Sequence, residues 1–316
     1  MDPNLLQWKR QEQSFLRRLR IWLNLLDPSL LLSSDAEILK AHTLLGSGQK
    51  LDEKDNAAVF LSLSSVHADS GAALPLVFRP PATLPISGPL VVATLLPHNS
   101  IKSAVFWQFL LQSYNAGFNH ANRNSSAEQL QSKKMSLKQL LLIGGTVSYT
   151  TCAGALPQIF INRLAIRSPP LLTFFRSILP IPLSAALAFF NVSTVRSEET
   201  ETGIQVFDYN GKPVGISKAA GEKAVRETAL SRAMLFGTAA AVPNLLVLLL
   251  QRTRLFKRNS LLVAPFRHIS IALVFSLMIP VSFSFFPQLG TIKRENLEEE
   301  LQTEVIGSHL FYHRGL

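Results

Sequence analysis

The sequence predicts an all-α integral membrane protein with five transmembrane helices, or six if the first apolar region divides. An amphipathic N-terminal region and a short β-hairpin in one loop complete the predicted fold. Two observations support the membrane assignment. Hydrophobic residues make up 47% of the chain and charged residues only 16%, whereas about 25% charged residues is usual in soluble proteins. Apolar runs long enough to cross a bilayer also recur, and the basic residues lie between them.

The composition argues against several other classes of protein. The net charge of +10 does not indicate nucleic-acid binding, because the basic residues flank apolar segments and are not interleaved with aromatic ones. The single cysteine, Cys152, excludes an internal disulfide and makes a cysteine-ligated metal site within the chain implausible. No phosphate-binding loop, dinucleotide fingerprint or metal-ligand set is recognisable. We therefore expect no cofactor, no nucleic-acid partner and no enzymatic activity.

Residues 1–73 are predicted to form an N-terminal extramembrane region that begins with a basic amphipathic helix. Asp27-Pro28 ends this helix, since proline disfavours the helical conformation in the residue before it. The helix suits an interfacial anchor, a mitochondrial address or a surface helix packed on the protein, and the sequence leaves these three open. A second helix is expected at about 34–45, capped by Ser34 or Asp35. Four apolar residues share one face of the first helix: Phe15, Leu19, Trp22 and Leu26.

Residues 74–290 are predicted to form the multi-pass transmembrane domain. Its spans are expected at 84–118 (one kinked span or two short ones), 137–161, 171–192, 229–250 and 261–287. Prolines inside the spans free backbone carbonyls, as in the broken helices of transporters, although proline also kinks ordinary membrane helices. These prolines are Pro157, Pro180, Pro182, Pro243 and Pro280.

Two polar segments are expected outside the membrane. In the loop 193–228, Asn210-Gly211 between two β-prone runs predicts a hairpin, and Pro213 restricts its second strand to a sheet edge. The tail, 291–316, is expected to contain an acidic helix at 295–302. His309 and His313 would share a helix face there, but two ligands do not make a metal site.

Side-chain amides form one stripe on an otherwise apolar helix between Phe106 and Asn124. At about 100° per residue the five amides fall within an arc of roughly 80°. We call them the amide stripe: Gln108, Gln112, Asn115, Asn119 and Asn122. Such a stripe faces a neighbouring helix, a water-filled cavity or a ligand. The amide stripe and Asn191 are therefore the candidate substrate-binding residues, with interhelical hydrogen bonding as the alternative role.

Other polar residues are expected to have structural roles. Arg176 and Arg232 lie near the ends of spans, where long side chains reach back to the interface; contact with a substrate carboxylate is the alternative. His67 and Asp69 precede the first span without a recognisable nucleophile, so structural hydrogen bonding is expected of them.

Several strings in order along nearly the whole chain resemble the sideroflexins, a family of multi-pass mitochondrial inner-membrane proteins. QSYNAGFNHANRN is similar to that family's NQSFNAxVNYTNRN, and GIQVFDYNGKPVGISKAA to its GIxVxDExGNxxGxSxxAA loop. Ser231-Arg232 stands where the family has an SR pair. FFPQ, LEEELQ and the terminal FYHRGL are similar to the family's ALFPQ, LExELQ and YFNKGL.

The resemblance implies a multi-pass protein of the mitochondrial inner membrane. For the better-known sideroflexins it implies transport of serine and related small neutral amino acids. For a divergent branch it implies support of respiratory complex I assembly and of mitochondrial iron balance. This chain has HADSGA for the family's HPDTGE, Ala188 for the first asparagine of AANxxNIPLMR, and no paired cysteines before FFPQ. These departures favour the divergent branch, with the lipid bilayer and complex I assembly proteins as partners. Amino-acid transport is the alternative, because the amide stripe is intact.

Overall fold

The computed structural model describes residues 1–10, 14–47, 55–98, 100–124, 136–304 and 307–316. Helices predominate, and a small antiparallel sheet accompanies them. The helices are α1 (Pro3–Arg10), α2 (Phe15–Leu25), α3 (Asp35–Gly46), α4 (Asn56–Ser65), α5 (Thr83–Leu95), α6 (Ile101–Ala121), α7 (Leu137–Arg163), α8 (Pro169–Val195), α9 (Ser197–Thr202), α10 (Lys218–Leu250), α11 (Arg254–Arg258), α12 (Val263–Ser284) and α13 (Glu299–Glu304). The strands are β1 (Ile204–Phe207), β2 (Pro213–Ser217), β3 (Leu289–Lys293) and β4 (His309–His313).

Six helices pack into a closed ring around the interior of the bundle. Going round the ring, α6 contacts α7, α7 contacts α8, α8 contacts α10 and α10 contacts α12. The short helix α5 closes the ring, since it packs on α12 on one side and on α6 on the other. The ring gives every long helix an inward face, and that is where polar side chains can avoid lipid.

Within the described residues, four helices are long and apolar enough to cross a membrane: α7, α8, α10 and α12. Helix α6 has 21 residues, a length of about 31 Å that also matches the hydrocarbon layer, but its amides make it less apolar. Helix α5 has 13 residues and ends before residue 96. The first apolar region therefore divides into two helices. Helix α10 has 33 residues, so it is about 50 Å long and extends well beyond the bilayer.

The predicted hairpin is confirmed, and it is part of a larger sheet. Strands β1 and β2 pair antiparallel with Ile204 opposite Ser217, and β2 lies at the edge, as Pro213 predicts. The strand order β2-β1-β4-β3 adds two strands from the C-terminal part of the chain. Leu310 and Tyr312 of β4 are buried against the start of α10. Buried residues at every second position are typical of a strand, in agreement with the extended conformation of the segment 309–313.

Two predictions for the tail were wrong. His309 and His313 lie on β4 and not on a helix. The acidic segment is not helical from 295: a 3-10 turn, Arg294–Asn296, comes first, and α13 begins at Glu299. At 309–313, pairing of β4 with β1 and β3 overrides the local helical pattern.

Helix α2 packs on the bundle with a face that differs from the predicted one. Its buried residues are Arg18, Trp22 and Leu25, whereas Phe15 is 40% exposed. Trp22 stacks between Trp8 and Phe283, with ring centroids 5.8 and 4.8 Å away. The helix thus fastens the N-terminal region to the end of α12, in agreement with the packed-surface-helix interpretation.

Arg18 and Ser34 satisfy backbone groups at helix ends. Arg18 Nε donates to the Ser284 carbonyl at 2.8 Å and Nη2 to the Phe285 carbonyl at 3.2 Å, so a cation caps the C-terminus of α12. Ser34 caps α3 in a capping box with Glu37, which confirms the cap predicted from the sequence.

Candidate functional site

The amide stripe of α6 faces the inside of the helix ring. Its members are buried or half-buried, whereas Phe106 and Phe109 on the other side of α6 are 53% and 50% exposed. The stripe passes three cavities in succession from one end of the helix to the other. Its residues therefore have different surroundings.

The first cavity, here the amide cavity, has a volume of about 90 Å³. Because a water molecule needs about 10–15 Å³ by this measure, the cavity has room for several waters or a small polar solute. Its polar lining comes from four helices and from the chain after α5: Thr94, Gln108, Gln112, Asn115, Gln158, Arg176, Ser184 and His98. Pro157 and Pro180 also line it, so two of the predicted helix-breaking prolines border the same space.

Helix α8 has a π-turn, Phe174–Ile178, directly before Pro180. Proline has no amide hydrogen to donate within a helix. The amide of Leu179 donates to the Phe174 carbonyl at 2.8 Å, five residues back, which is the hydrogen bond of a π-turn. Phe175 and Arg176 of this turn line the amide cavity. The irregular backbone of α8 thus lies where it borders a polar space and not lipid.

Two amides are fixed by close packing at this end of α6. Gln108 lies against Gly154 of α7, where a Cβ would come within 2.5 Å of the Gln108 Oε1. Only glycine fits at position 154 without displacing the amide. Gln112 Nε2 donates to Gln108 Oε1 at 3.4 Å.

The second cavity, here the arginine cavity, is about 30 Å³ in volume and is lined by polar residues of four helices. These residues are Thr83, Ser87, Tyr114, Asn115, Asn119, Asn191 and Arg232. Asn119 Nδ2 donates to Asn191 Oδ1 at 2.9 Å, and Asn191 Nδ2 is 3.5 Å from Gln112 Oε1. Part of the stripe therefore makes the interhelical hydrogen bonds that the sequence left as the alternative.

Asn115 stands between the amide and arginine cavities. The two cavities share Asn115, Ala188 and Phe236 as lining residues. Asn115 is half-buried, and its amide forms no hydrogen bond with the described residues. Of the amide stripe, this residue is the one most available to an occupant. Ala188 presents only a methyl group to the same junction.

Arg232 is buried inside the bundle, so the expectation that its side chain snorkels to an exposed interface was wrong. It is 6% exposed and lies well inside α10. Its Nη1 donates to Ser282 Oγ at 3.3 Å, and the guanidinium lies 4.1 Å from the centre of the Phe283 ring. The signal in the sequence was an ionisable residue within an apolar run, which marks a functional position by default. Arg176, in contrast, is exposed while lining the amide cavity.

Asn122 lies apart from the other predicted site residues. Its Nδ2 donates to the carbonyls of Phe78 and Phe118, at 2.9 and 3.0 Å. It lines the third space, the tail cavity of about 40 Å³, together with His67, Gln288 and His313. This cavity lies in the extramembrane layer that the sheet and the loops form at one end of the ring.

A continuous chain of hydrogen bonds crosses this layer, and we call it the layer network: Gln288, His313, Asn124, Glu199 and Arg196. Gln288 Nε2 lies 3.0 Å from His313 Nε2, and His313 Nδ1 lies 2.8 Å from Asn124 Oδ1. Asn124 Nδ2 donates to Glu199 Oε2 at 2.8 Å, and Arg196 Nη2 donates to the same oxygen at 2.7 Å. With Gln288 donating, His313 accepts at Nε2 and donates from Nδ1, which defines a neutral imidazole.

The surroundings of His313 also favour its neutral form. Burial, together with the nearby His67, Arg196 and Arg314, lowers the pKa of His313 to about 3. His67 itself hydrogen-bonds to the Arg123 carbonyl at 2.7 Å, and Asp69 and Ser70 direct their amides to its ring. His67 thus has the structural role expected of it.

Among the residues that the structure describes, no group of three or more His, Cys, Asp and Glu side chains is placed to hold a metal ion.

Comparison with known proteins identifies the family. The family model described as Sideroflexins matches residues 3–316. The chain is 54% identical to Sideroflexin-4 of Danio rerio, with 100% of both chains aligned. It is 35% identical to Sideroflexin-4 of Homo sapiens, with 100% of this chain and 93% of the relative aligned. It is 29% identical to human Sideroflexin-5 over 97% of this chain and 91% of the relative. No solved structure matches the chain. The chain, with its ring of apolar membrane-spanning helices, belongs to the sideroflexin family.

Proposed function

We propose that this sideroflexin supports the assembly of respiratory complex I from the mitochondrial inner membrane, on a transporter-like frame whose grip on solute is reduced. The observation that carries the proposal is Ala188. It lies in the wall shared by the amide and arginine cavities, where the family pattern has an asparagine. A methyl group supplies neither the donor nor the acceptor of the missing amide, and a site built for a polar group loses much affinity without its hydrogen bonds.

The sequence resemblance supports the same proposal. The departure at HADSGA lies outside both cavities, so the chain differs from the general family pattern over more than its solute path. The departure before FFPQ places Phe283 in the wall of the arginine cavity. Complex I assembly proteins are then the partners, and the protein is a multi-pass resident of the inner membrane. A contribution to mitochondrial iron balance is part of what the resemblance implies.

A second candidate is transport of small neutral amino acids such as serine. Asn115 supports it: its amide is unpartnered among the described residues and borders two polar cavities inside the ring. A zwitterion needs both donors and acceptors, and an amide offers both. In this case Gln108, Gln112, Asn119 and Asn191 position the solute with Asn115.

One pair of assays separates the two candidates. Cells that lack the protein are expected to lose assembled complex I and to recover it with the wild-type chain. The purified wild-type protein in liposomes is expected to show no saturable uptake of labelled serine or alanine. The variant Ala188→Asn restores the family's amide, so we expect it to retain complex I support and to gain saturable serine uptake.

Either assay can overturn the first candidate. Normal complex I levels in cells without the protein would contradict it directly. Saturable serine uptake by the wild-type protein that Asn115→Ala abolishes, with the variant still inserted in the membrane, would establish the transport function.

A further inference from the structure

The arginine cavity contains three side chains that are more than nine-tenths buried and short of partners: Thr83, Tyr114 and Arg232. We call these three and Asn115 the cavity group. The Thr83 and Tyr114 hydroxyls lie close enough to interact with each other, but neither makes a hydrogen bond of good geometry with the described residues. Buried hydroxyls are normally satisfied by the protein, by water or by a ligand.

Arg232 also lacks a partner for its charge. Among the described residues its side chain donates one hydrogen bond, to Ser282 Oγ, and no carboxylate lies within ion-pair distance of its guanidinium. The aromatic rings of Phe283 and Phe118, at 4.1 and 5.7 Å, compensate for part of the lost hydration. Rings do not neutralise a charge, and a buried arginine ordinarily has an acidic partner. Two further cations, Arg196 and Arg314, are close enough to act on it electrostatically.

We propose that the arginine cavity binds the carboxylate of a small amino acid or organic acid, with Arg232 as the counter-ion and the Tyr114 and Thr83 hydroxyls as donors. The planar guanidinium binds carboxylates in a two-pronged arrangement that few other groups match. This inference deepens the solute-binding candidate and rests on it.

The sizes of the two cavities determine the orientation of the occupant. At about 30 Å³ the arginine cavity has room for roughly two waters, which suits a carboxylate and excludes a whole amino acid. The amide cavity, at about 90 Å³, receives the remainder of the molecule. Asn115 then lies beside the α-carbon substituents, where its oxygen can accept from an ammonium group.

The test uses the full-length chain in lipid nanodiscs and calorimetric titration with three probes. L-Serine has a carboxylate, an ammonium and a hydroxyl; ethanolamine lacks the carboxylate, and L-lactate lacks the ammonium. We expect serine and lactate to bind and ethanolamine to show no binding. Tyr114→Phe, which preserves shape, should raise the Kd for lactate about tenfold or more, because hydrogen bonds to a charged group are the strong ones. Arg232→Lys should weaken binding by a similar factor, and Arg232→Gln should abolish it.

Matched controls come from exposed residues of the same types that line neither cavity. Tyr149→Phe and Arg163→Gln are expected to leave both Kd values unchanged. Thermal unfolding shows whether each variant is folded. If Arg232→Gln does not fold, the Kd of Tyr114→Phe for lactate tests the carboxylate assignment.

Each alternative outcome is distinct. Equal binding of serine and ethanolamine would overturn the carboxylate assignment. The assignment would also fail if Arg176→Gln lost binding while Tyr114→Phe and Arg232→Lys kept it. Serine binding that responds to Asn115→Ala but to no change at Tyr114 or Arg232 would overturn this inference and leave the solute-binding candidate standing. No binding of either carboxylate by the wild-type protein would overturn both. If Arg232 only braces α10 against α12, then Ser282→Ala should destabilise the protein as Arg232→Gln does, with no change in Kd.

Discussion

The extramembrane layer and the interior of the helix ring both bury polar side chains, but they satisfy them differently. In the layer network each side chain has a partner on another segment, from Gln288 through His313 to the Arg196–Glu199 pair. In the ring, the cavity group has few partners among the described residues. The two regions adjoin each other along α6 and α10.

This difference distinguishes buried polar side chains that stabilise the fold from those that are available to bind a ligand. A partnered buried group contributes roughly 0.5–1.5 kcal/mol to stability, whereas a buried group left without a partner costs about 1–3 kcal/mol. The layer network therefore holds the sheet, the loops and the helix ends together. The cavity group reduces stability in the empty protein, and an occupant that supplies its partners would recover that energy. Changes in the two regions should have opposite consequences for stability and for binding.

The largest effect on stability is expected in the layer, from Glu199→Gln. This change leaves Arg196, fully buried, as a cation without its counter-ion, and breaking a buried pair from one side costs about 3–5 kcal/mol. Chemical unfolding in detergent micelles, followed by circular dichroism, measures the loss.

The control for Glu199→Gln removes both charges. The double variant Arg196→Met, Glu199→Leu should recover most of the lost stability, since apolar replacements of a buried pair are often tolerated. A loss below about 1 kcal/mol for Glu199→Gln would mean that the pair does not hold the layer together.

The second effect depends on pH and comes from His313. Its pKa is about 3 in the folded protein and about 6.5 in the unfolded chain. Between these values the unfolded state binds more protons, so stability falls as the pH drops below about 6.5 and is unaffected by this group above it. Unfolding midpoints at pH 7.5, 6 and 5 should show this loss, and His313→Gln should make the profile flatter. An unchanged slope in the variant would assign the pH dependence to other groups.

The smallest effect on stability is expected in the ring, from Asn115→Ala. This amide has no hydrogen bond to lose among the described residues, so the free energy of unfolding should change by less than about 0.5 kcal/mol. Binding of serine, where present, should be lost.

Asn119→Ala is the matched control on the same stripe. It breaks the bond to Asn191, so it should cost about 0.6 kcal/mol, the average for hydrogen bonds between membrane helices. If Asn115→Ala destabilised the protein more than Asn119→Ala, the contrast between the cavity group and the partnered amides would fail.

Local patterns in the sequence predicted local structure well. The Asn210-Gly211 turn, the Ser34 cap and the inward face of the amide stripe all depend on residues within a few positions of each other, and the structure contains all three. The roles of the individual amides were not readable, because Asn119 has a hydrogen-bond partner on α8, Asn191, whereas the α8 residue beside Asn115 is Ala188.

Features that join distant segments were not predicted. Strand β4 pairs with β1, which is about a hundred residues away, and no local pattern specifies that partner. Arg18 looked like part of the polar face of an amphipathic helix, yet it is buried because the carbonyls at the end of α12 need a donor. Arg232 was assigned to the interface from its place near the start of an apolar run. Its side chain is buried instead between α10 and α12, because Ser282 and Phe283 of α12 face it.

The short helix that closes the ring has a consequence for access. With 13 residues, α5 extends about 20 Å, roughly two thirds of the way through the hydrocarbon layer. The chain that follows it, Leu96 to His98, forms part of the border of the amide cavity. The barrier around the polar interior is therefore thinner at this place, and a solute or a water molecule that enters here meets Gln108 and Asn115 before it meets Arg232.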